Sequence, residues 1–343
     1  MVDGSVAADF AADAAIESGP MSTPLALALT TPEGSGQTVH PDFVAIPADW
    51  SFAHQYLLMT PYPNGNAGFE NPSIFAQTAP STWTPPAGVT NPIATPQHGY
   101  LSDPDAVAVP ETKELWVYYR EVQARNEVYV IRTKDGVTYT KPQLVASAMN
   151  HDLVSPAVVR RGPTDWLMWS VKSGVGCSAS STAVELRRST NGLEWSAPEK
   201  VSLDQGGGVS PWHIEVQWIP SRNEFWAVFN GKTSGTCTTP ALYLATSPDG
   251  VTWRTFASPI LTRGASPELA DVVYRSTFNY DEQADAVDFW YSGARYDAGS
   301  YIWHTAYQRR VRGEVFATAT KKSVAAMAAL APRANIPPLM DPP

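Results

Sequence analysis

The feature that most constrains this chain is an internal repeat. A short apolar segment recurs five times, as DFVAIP from Asp42, DAVAVP from Asp105, PAVVRR from Pro156, EVQWIP from Glu215 and DVVYRS from Asp271, at spacings of 51 to 63 residues. An aromatic-rich segment follows each copy: QYLLMTPY, ELWVYYRE, DWLMWSVK, EFWAVFNG and AVDFWYSG. A third segment then runs toward a hairpin, whose turn in three units is Asp135-Gly136, Asn191-Gly192 or Asp249-Gly250. These dipeptides tolerate the positive φ of a tight turn. A small sheet cannot cover both of its faces alone, whereas sheets packed radially cover one another. The repeat therefore predicts an all-β fold, a five-bladed β-propeller, with blades over residues 39–317. The 30 prolines, 23 glycines, 12 tryptophans and 14 tyrosines fit many short aromatic-faced strands and do not fit a helical bundle.

Two arms remain. Residues 1–38 form an N-terminal arm with a helix-prone, Ala-rich start, in which LALALTT at Leu25–Thr31 is available to close one blade or to lie outside it. Residues 318–343 carry the helix-prone stretch KKSVAAMAAL and a Pro-rich tail. Neither arm is long enough to fold by itself, so the expectation is short helical or extended arms that dock on partner subunits. The formal charge of −9 and the lack of a basic cluster argue against nucleic acid as a partner. No apolar run approaches the length of a membrane span. The first twenty residues hold four acids and no Lys or Arg, so no signal peptide is expected.

In a propeller the first strand of each blade lines the central channel, and the repeat alignment thus maps a site. The aligned column reads Asp42, Asp105, Pro156, Glu215 and Asp271. Four acids in such a ring suit a polyol or sugar site, or an axial divalent cation such as calcium held by oxygen ligands; equally, each Asp could cap a strand through backbone hydrogen bonds. No other cofactor is expected. Just before these strands lie His40, Asp103, His151, Trp212, His213 and Glu268, while Glu70, Asn71 and Arg120 fall near the connections from second to third strand. Aromatic rings, carboxylates and an Arg around a wet depression suit a carbohydrate ligand. The two cysteines, Cys177 and Cys237, occupy equivalent loops of adjacent blades, so a disulfide between them is expected.

SDPDAV at Ser102–Val107, with the S-x-D-G-x-x-W hairpins, resembles the five-bladed propellers of glycoside hydrolase family 43 and related clans, and the hairpins resemble degenerate sialidase Asp boxes. Carried over by position, that family's tuning Asp falls on Asp103, but its base falls on His40 and its acid on Val154, so two of the three carboxylates are replaced. The run HPDFVAIP, TPYPNG, FENPSIFA, NPI, YLSDPDAV and LWVYYR resembles propeller domains of minor tail proteins in phages of actinobacteria. With 16 Arg to 8 Lys and abundant Ala, Pro and Thr, the composition suits a high-GC host. This second resemblance implies a virion tail-tip protein, acting outside the cell, that binds cell-envelope polysaccharide without ordinary hydrolysis and contacts other tail-tip proteins through its arms. The alternative is a glycoside hydrolase acting on envelope arabinan or galactan, with catalytic carboxylates drawn from Asp42, Asp103, Asp105, Glu215 and Asp271.

Overall fold

In the computed structural model, each of the five sequence units forms its own antiparallel sheet. The structure describes residues 23–52, 54–79, 81–149, 151–203, 209–233, 237, 239–320, 330, 336 and 337. The first strand, β1 (Leu25–Ala26), stands ahead of blade one, which comprises β2 (Thr38–Ile46), β3 (His54–Pro61), β4 (Ser73–Ala79) and β5 (Thr82–Thr84). Blade two comprises β6 (Tyr100–Val109), β7 (Glu114–Val122), β8 (Arg125–Thr133) and β9 (Gln143–Met149). Blade three comprises β10 (Val154–Gly162), β11 (Asp165–Lys172), β12 (Ala183–Ser189) and β13 (Glu199–Val201). Blade four comprises β14 (Val209–Ile219), β15 (Glu224–Thr233), β16 (Ala241–Ser247), β17 (Arg254–Thr255) and β18 (Leu261–Thr262). Blade five comprises β19 (Val272–Asp281), β20 (Ala286–Asp297) and β21 (Ser300–Val311), and β1 pairs antiparallel with β21 to complete it. One helix follows, α1 (Arg312–Thr320). The helix-prone segments at residues 1–20 and 321–330 lie outside the described residues, apart from Leu330.

The five inner strands close a ring, β2 against β6, β6 against β10, β10 against β14, β14 against β19 and β19 back against β2. Aromatic rings fill the seams between blades: Phe43 stacks on Trp290 at 4.4 Å, Trp116 on Trp166 at 5.3 Å, and Trp226 lies 4.9 Å from Tyr280. Such seams bury the faces that an isolated blade would expose.

The hairpins after the third strands of blades two, three and four are one device used three times. The hydroxyls of Thr133, Ser189 and Ser247 donate to Asp135, Asn191 and Asp249, and accept the amides of Gly136, Gly192 and Gly250. The same Asp or Asn Oδ1 atoms then accept the next two backbone amides at 2.7–2.9 Å. Glycine is required at the fourth position, where φ is +73° to +77°. At Gly250 a Cβ would also stand 2.6 Å from the Trp169 ring of the preceding blade.

Candidate functional site

A β-bulge interrupts every inner strand near the mouth, between Val39 and Asp42, Ser102 and Asp105, Val154 and Ala157, Pro211 and His213, and Val273 and Ser276. In blades one to three the first bulged residue, His40, Asp103 or Ser155, has φ of +58°, +52° or +54° and is followed by proline. Non-glycine residues in this region cost about 1–3 kcal/mol each and persist where surrounding packing dictates them. Two of the strained residues, His40 and Asp103, converge with His213, which follows the blade-four bulge without such strain.

They build a compact group beneath the mouth. Ligand atoms of His40, Asp103 and His213 lie within 4.8 Å of one another, and all three residues are buried. Asp103 Oδ2 is fixed by Arg120 Nε at 2.9 Å and by the Ser155 amide at 3.2 Å. Its Oδ1 faces His213 Nδ1 at 3.3 Å and His40 Nε2 at 3.5 Å, yet none of these three atoms has a hydrogen-bond partner. Glu70 Oε2, 3.1 Å from His40 Nδ1, sets the tautomer that leaves Nε2 with its lone pair, and Thr60 Oγ1 donates to Glu70 at 3.4 Å. Burial works against the charge of Asp103, but the Arg120 guanidinium, joined by the imidazoles, holds its carboxyl well below the usual range. Burial also brings His213 down to about 3, so its imidazole is neutral. Two imidazoles and one ionised carboxylate, each with an unsatisfied buried atom, fit a divalent cation such as zinc, manganese or iron(II). Three protein ligands leave further positions open to solvent species or substrate.

One wall of this group is aromatic. The Tyr274 ring lies 4.5 Å from that of His213 and 5.2 Å from Trp303, which packs 5.0 Å from Tyr62. Trp212, buried in the seam between blades, donates its indole N–H to Tyr274 Oη at 3.0 Å. Burial, with the Tyr62, Asp103 and Glu70 charges adding to it, pushes the Tyr274 phenol well above its ordinary value, so it stays protonated.

Below lies a second group, Asp42, Asp105 and Glu215, again with ligand atoms within 4.8 Å. Asp42 Oδ2 accepts the Ala106 amide at 2.7 Å and Asp105 Oδ1 the Val158 amide at 3.1 Å, so each ties its inner strand to that of the next blade. Burial pushes the Asp105 carboxyl up to about 7 against the pull of Arg275, and raises Asp42 and Glu215 well above the usual range. The predicted fourth acid is elsewhere. Asp271 sits ahead of the blade-five bulge and accepts the Tyr296 amide at 2.7 Å; the position matching Asp42 is Ser276, and the bulge itself is Tyr274-Arg275. Blade five has no proline after its first bulged residue, and alignment on its Asp-Val-Val start slipped the register. In blade three the bulge likewise puts Ser155, not Val154, in line with His40 and Asp103.

Of the remaining sequence candidates, Arg120 and Glu70 support the upper group as described. Asn71 lies beside it in the chain with its Nδ2 donating to Phe69 O, Glu268 faces His304 in blade five, and the His151 carbonyl accepts the Ser173 amide. None of these three belongs to the cation group. Tyr274, Arg275 and Ser155 were missed. The His-Pro, Asp-Pro and Ser-Pro pairs at 40, 103 and 155 were the available signal for the bulge. Cys177 and Cys237 form a disulfide with a Cα separation of 4.7 Å, joining mouth-side loops of blades three and four.

No family model matches the chain. It is 28% identical over 315 residues to an A type blood N-acetyl-alpha-D-galactosamine deacetylase of Flavonifractor plautii, covering 77% of this chain. The chain spans 41% of that relative's length. The crystal structure of an N-acetylgalactosamine deacetylase from F. plautii in complex with blood group B trisaccharide superposes with a TM-score of 0.77 at 22% identity, over 88% of this chain and 97% of that one. An alpha-L-arabinanase of Penicillium chrysogenum complexed with arabinobiose superposes with a TM-score of 0.57 at 10% identity, over 86% and 99%. The fold is thus that of carbohydrate-active propellers. These relatives overturn the tail-tip reading, because the chain's likeness is to a deacetylase and to glycoside hydrolases, and tail-tip partners find no support. The physical reason is that HPDFVAIP, YLSDPDAV and LWVYYR, in the run behind that reading, are the inner strands of blades one and two, with their His-Pro and Asp-Pro bulges, and the second strand of blade two, devices for building blades that carry no function with them.

Proposed function

We propose that this chain is a cation-dependent hydrolase that removes the N-acetyl group from an amino sugar within a glycan. The observation that carries the reading is the convergence of His40 Nε2, Asp103 Oδ1 and His213 Nδ1, all buried and none hydrogen-bonded. A relative similar over 77% of this chain bears a sugar deacetylase name, which supports the reaction class proposed.

A divalent cation held by these three residues would supply Lewis acidity to an acyl carbonyl and acidify a water molecule. The protein's own part is to keep the ligands in place and to bind the sugar. Arg120 and the Ser155 amide occupy Asp103 Oδ2 and so leave Oδ1, which has no hydrogen-bond partner, to face the imidazoles. Glu70 holds His40 in one tautomer. Tyr274, the one ring of this wall with part of its surface exposed, offers a face for stacking on a pyranose and is backed by the buried Trp303 and Tyr62. Tyr274 Oη accepts from Trp212, which leaves its own proton free to donate to an oxygen gaining charge as water adds to the amide carbon. The C–N bond then breaks to give acetate and the free amino sugar.

Incubation of the zinc- or manganese-loaded protein with oligosaccharides ending in N-acetylhexosamine is expected to release acetate without reducing sugar. Chelation should abolish it, and His213→Ala should lower it by at least about 100-fold, the low end of the 10²–10⁴ assigned to one catalytic group. Reducing-sugar release without acetate would replace deacetylation by glycosidic cleavage, the reading drawn from the arabinanase-like fold. Binding with neither product would make the site a lectin.

A further inference from the structure

Two groups of potential ligands are stacked along the axis, yet only the upper one has unpartnered inward atoms on its ligands. The lower one, Asp42, Asp105 and Glu215, is already filled by a side chain. Arg275, 1% exposed, enters from the second bulged position of blade five, where blades one to three carry Pro41, Pro104 and Pro156. Its Nη2 lies 3.4 Å from Glu215 Oε2 and 3.7 Å from Asp105 Oδ2, and its Nη1 lies 3.6 Å from Asp103 Oδ1 in the upper group. Nε and Nη1 have no hydrogen-bond partner despite full burial. A guanidinium with an unsatisfied fork, touching acids of both groups, is placed as a bridging charge and is held there by electrostatics more than by directed hydrogen bonds.

We propose that Arg275 stands in for the second ion of a two-cation centre and thereby limits the propeller axis to one exchangeable metal. Cation pairs in hydrolytic centres sit about 3.5–4 Å apart and share a bridging carboxylate; Asp103, facing both the imidazoles and Arg275, has the position of that bridge. The lower ligands are all carboxylate oxygens, a hard set suited to calcium or a lanthanide, whereas the upper set of two imidazoles and one carboxylate suits zinc, manganese or iron. The inference rests on the upper group holding a cation, as proposed above, but its own readout is the lower group.

The test replaces the guanidinium with an uncharged side chain of similar reach, Arg275→Met, and counts ions. Wild type and variant are dialysed with zinc and calcium, and bound metal is measured by mass spectrometry; terbium luminescence, sensitised by the neighbouring aromatic rings, reports the lower group alone. Wild type is expected to hold one zinc and no calcium or terbium. Arg275→Met is expected to gain one calcium, or one terbium, and to lose it again in Arg275→Met with Asp105→Asn. Folding of Arg275→Met that depends on calcium supports the same conclusion. Terbium bound by wild type and lost in Asp105→Asn, a folded Arg275→Met that gains no ion, or a variant that stays unfolded in excess calcium would each overturn it. Absence of zinc from wild type would overturn the functional reading instead, and the terbium signal of the variant would still decide this one.

Discussion

Glu70 touches no proposed ligand position directly, but it decides what His40 presents. With Oε2 3.1 Å from His40 Nδ1, it keeps the proton on that nitrogen and the lone pair on Nε2. Carboxylates in this role are worth about 10–100-fold in metal affinity. Glu70→Gln is expected to weaken zinc binding by that factor while leaving the denaturant midpoint nearly unchanged, measured by chelator competition and urea unfolding; unaltered affinity would remove Glu70 from the site. The buried titrating groups give a second expectation, for the cation-free protein. His213 moves from an ordinary value of 6.5 to about 3, so within that window the unfolded chain binds a proton the folded chain does not, and stability falls as pH falls. Asp105 moves from 3.8 to about 7, and its contribution has the opposite sign, full below 3.8 and lost as pH rises through 7. The slopes offset each other where the windows overlap. Above the imidazole value only the acids remain, with Asp42 and Glu215 adding to Asp105. Stability by urea unfolding with chelator present should therefore be lower near about pH 8 than near about pH 6, and Asp105→Asn should flatten the difference. A rise toward alkaline pH would contradict this electrostatic picture. At this scale the sequence exposed His40, Asp103, His213, Glu70 and Arg120 because each lies beside a repeated motif. It concealed Arg275 and Tyr274 because blade five lacks the proline that marks the bulge in blades one to three, so its Asp-Val-Val start drew the alignment to Asp271 rather than Ser276.

The hairpins show the reverse case, in which sequence and structure agree at the level of single atoms. Asp-Gly and Asn-Gly after the third strand announced a turn with positive φ, and all three turns have it. What the dipeptide could not convey is that the turn also belongs to the neighbouring blade. The Trp169 indole N–H donates to Gly250 O at 2.9 Å, and Tyr118 Oη donates to Gly192 O at 3.0 Å, so the hairpins of blades four and three each lock to the blade before them. Gly250→Ala would bring a positive-φ penalty together with a Cβ 2.6 Å from the Trp169 ring. The combined loss is expected to be roughly 2–4 kcal/mol, above the 1–3 of strain alone. Gly174→Ala, at φ +75° with nothing near its added methyl, serves as the control for backbone strain without overlap. Equal losses for the two variants in denaturant unfolding would mean that contact between blades adds nothing at this hairpin.

Closing a ring of sheets leaves one seam where the first and last strands of the chain must meet, and here the seam is inside blade five. β1 contributes only the pairs Leu25 with Tyr307 and Ala26 with Ala306, extended by the Leu27 amide donating to Thr305 O at 2.9 Å. The adhesion comes from side chains. Leu27 and Leu29 are each 7% exposed and pack in the cluster of Phe43, Trp83 and Trp290, where blade one meets blade five. The sequence offered this segment either as a closing strand or as an outer covering; pairing alone could not choose, since two residues form a strand only when a seam awaits them. Burying two leucines contributes about 3–6 kcal/mol as an upper estimate. A chain beginning at residue 32 should lose stability of that order. It should also present β21 as a bare edge, which favours association between copies. Urea unfolding and sedimentation velocity compare it with the full chain, and Leu27→Ala with Leu29→Ala separates lost packing from the exposed edge, because those substitutions keep the β1 backbone pairs. If the truncated chain unfolds at the same midpoint and stays monomeric, the ring is closed by the contacts of β2 with β19, β20 and β21, and the N-terminal strand does not hold the propeller shut.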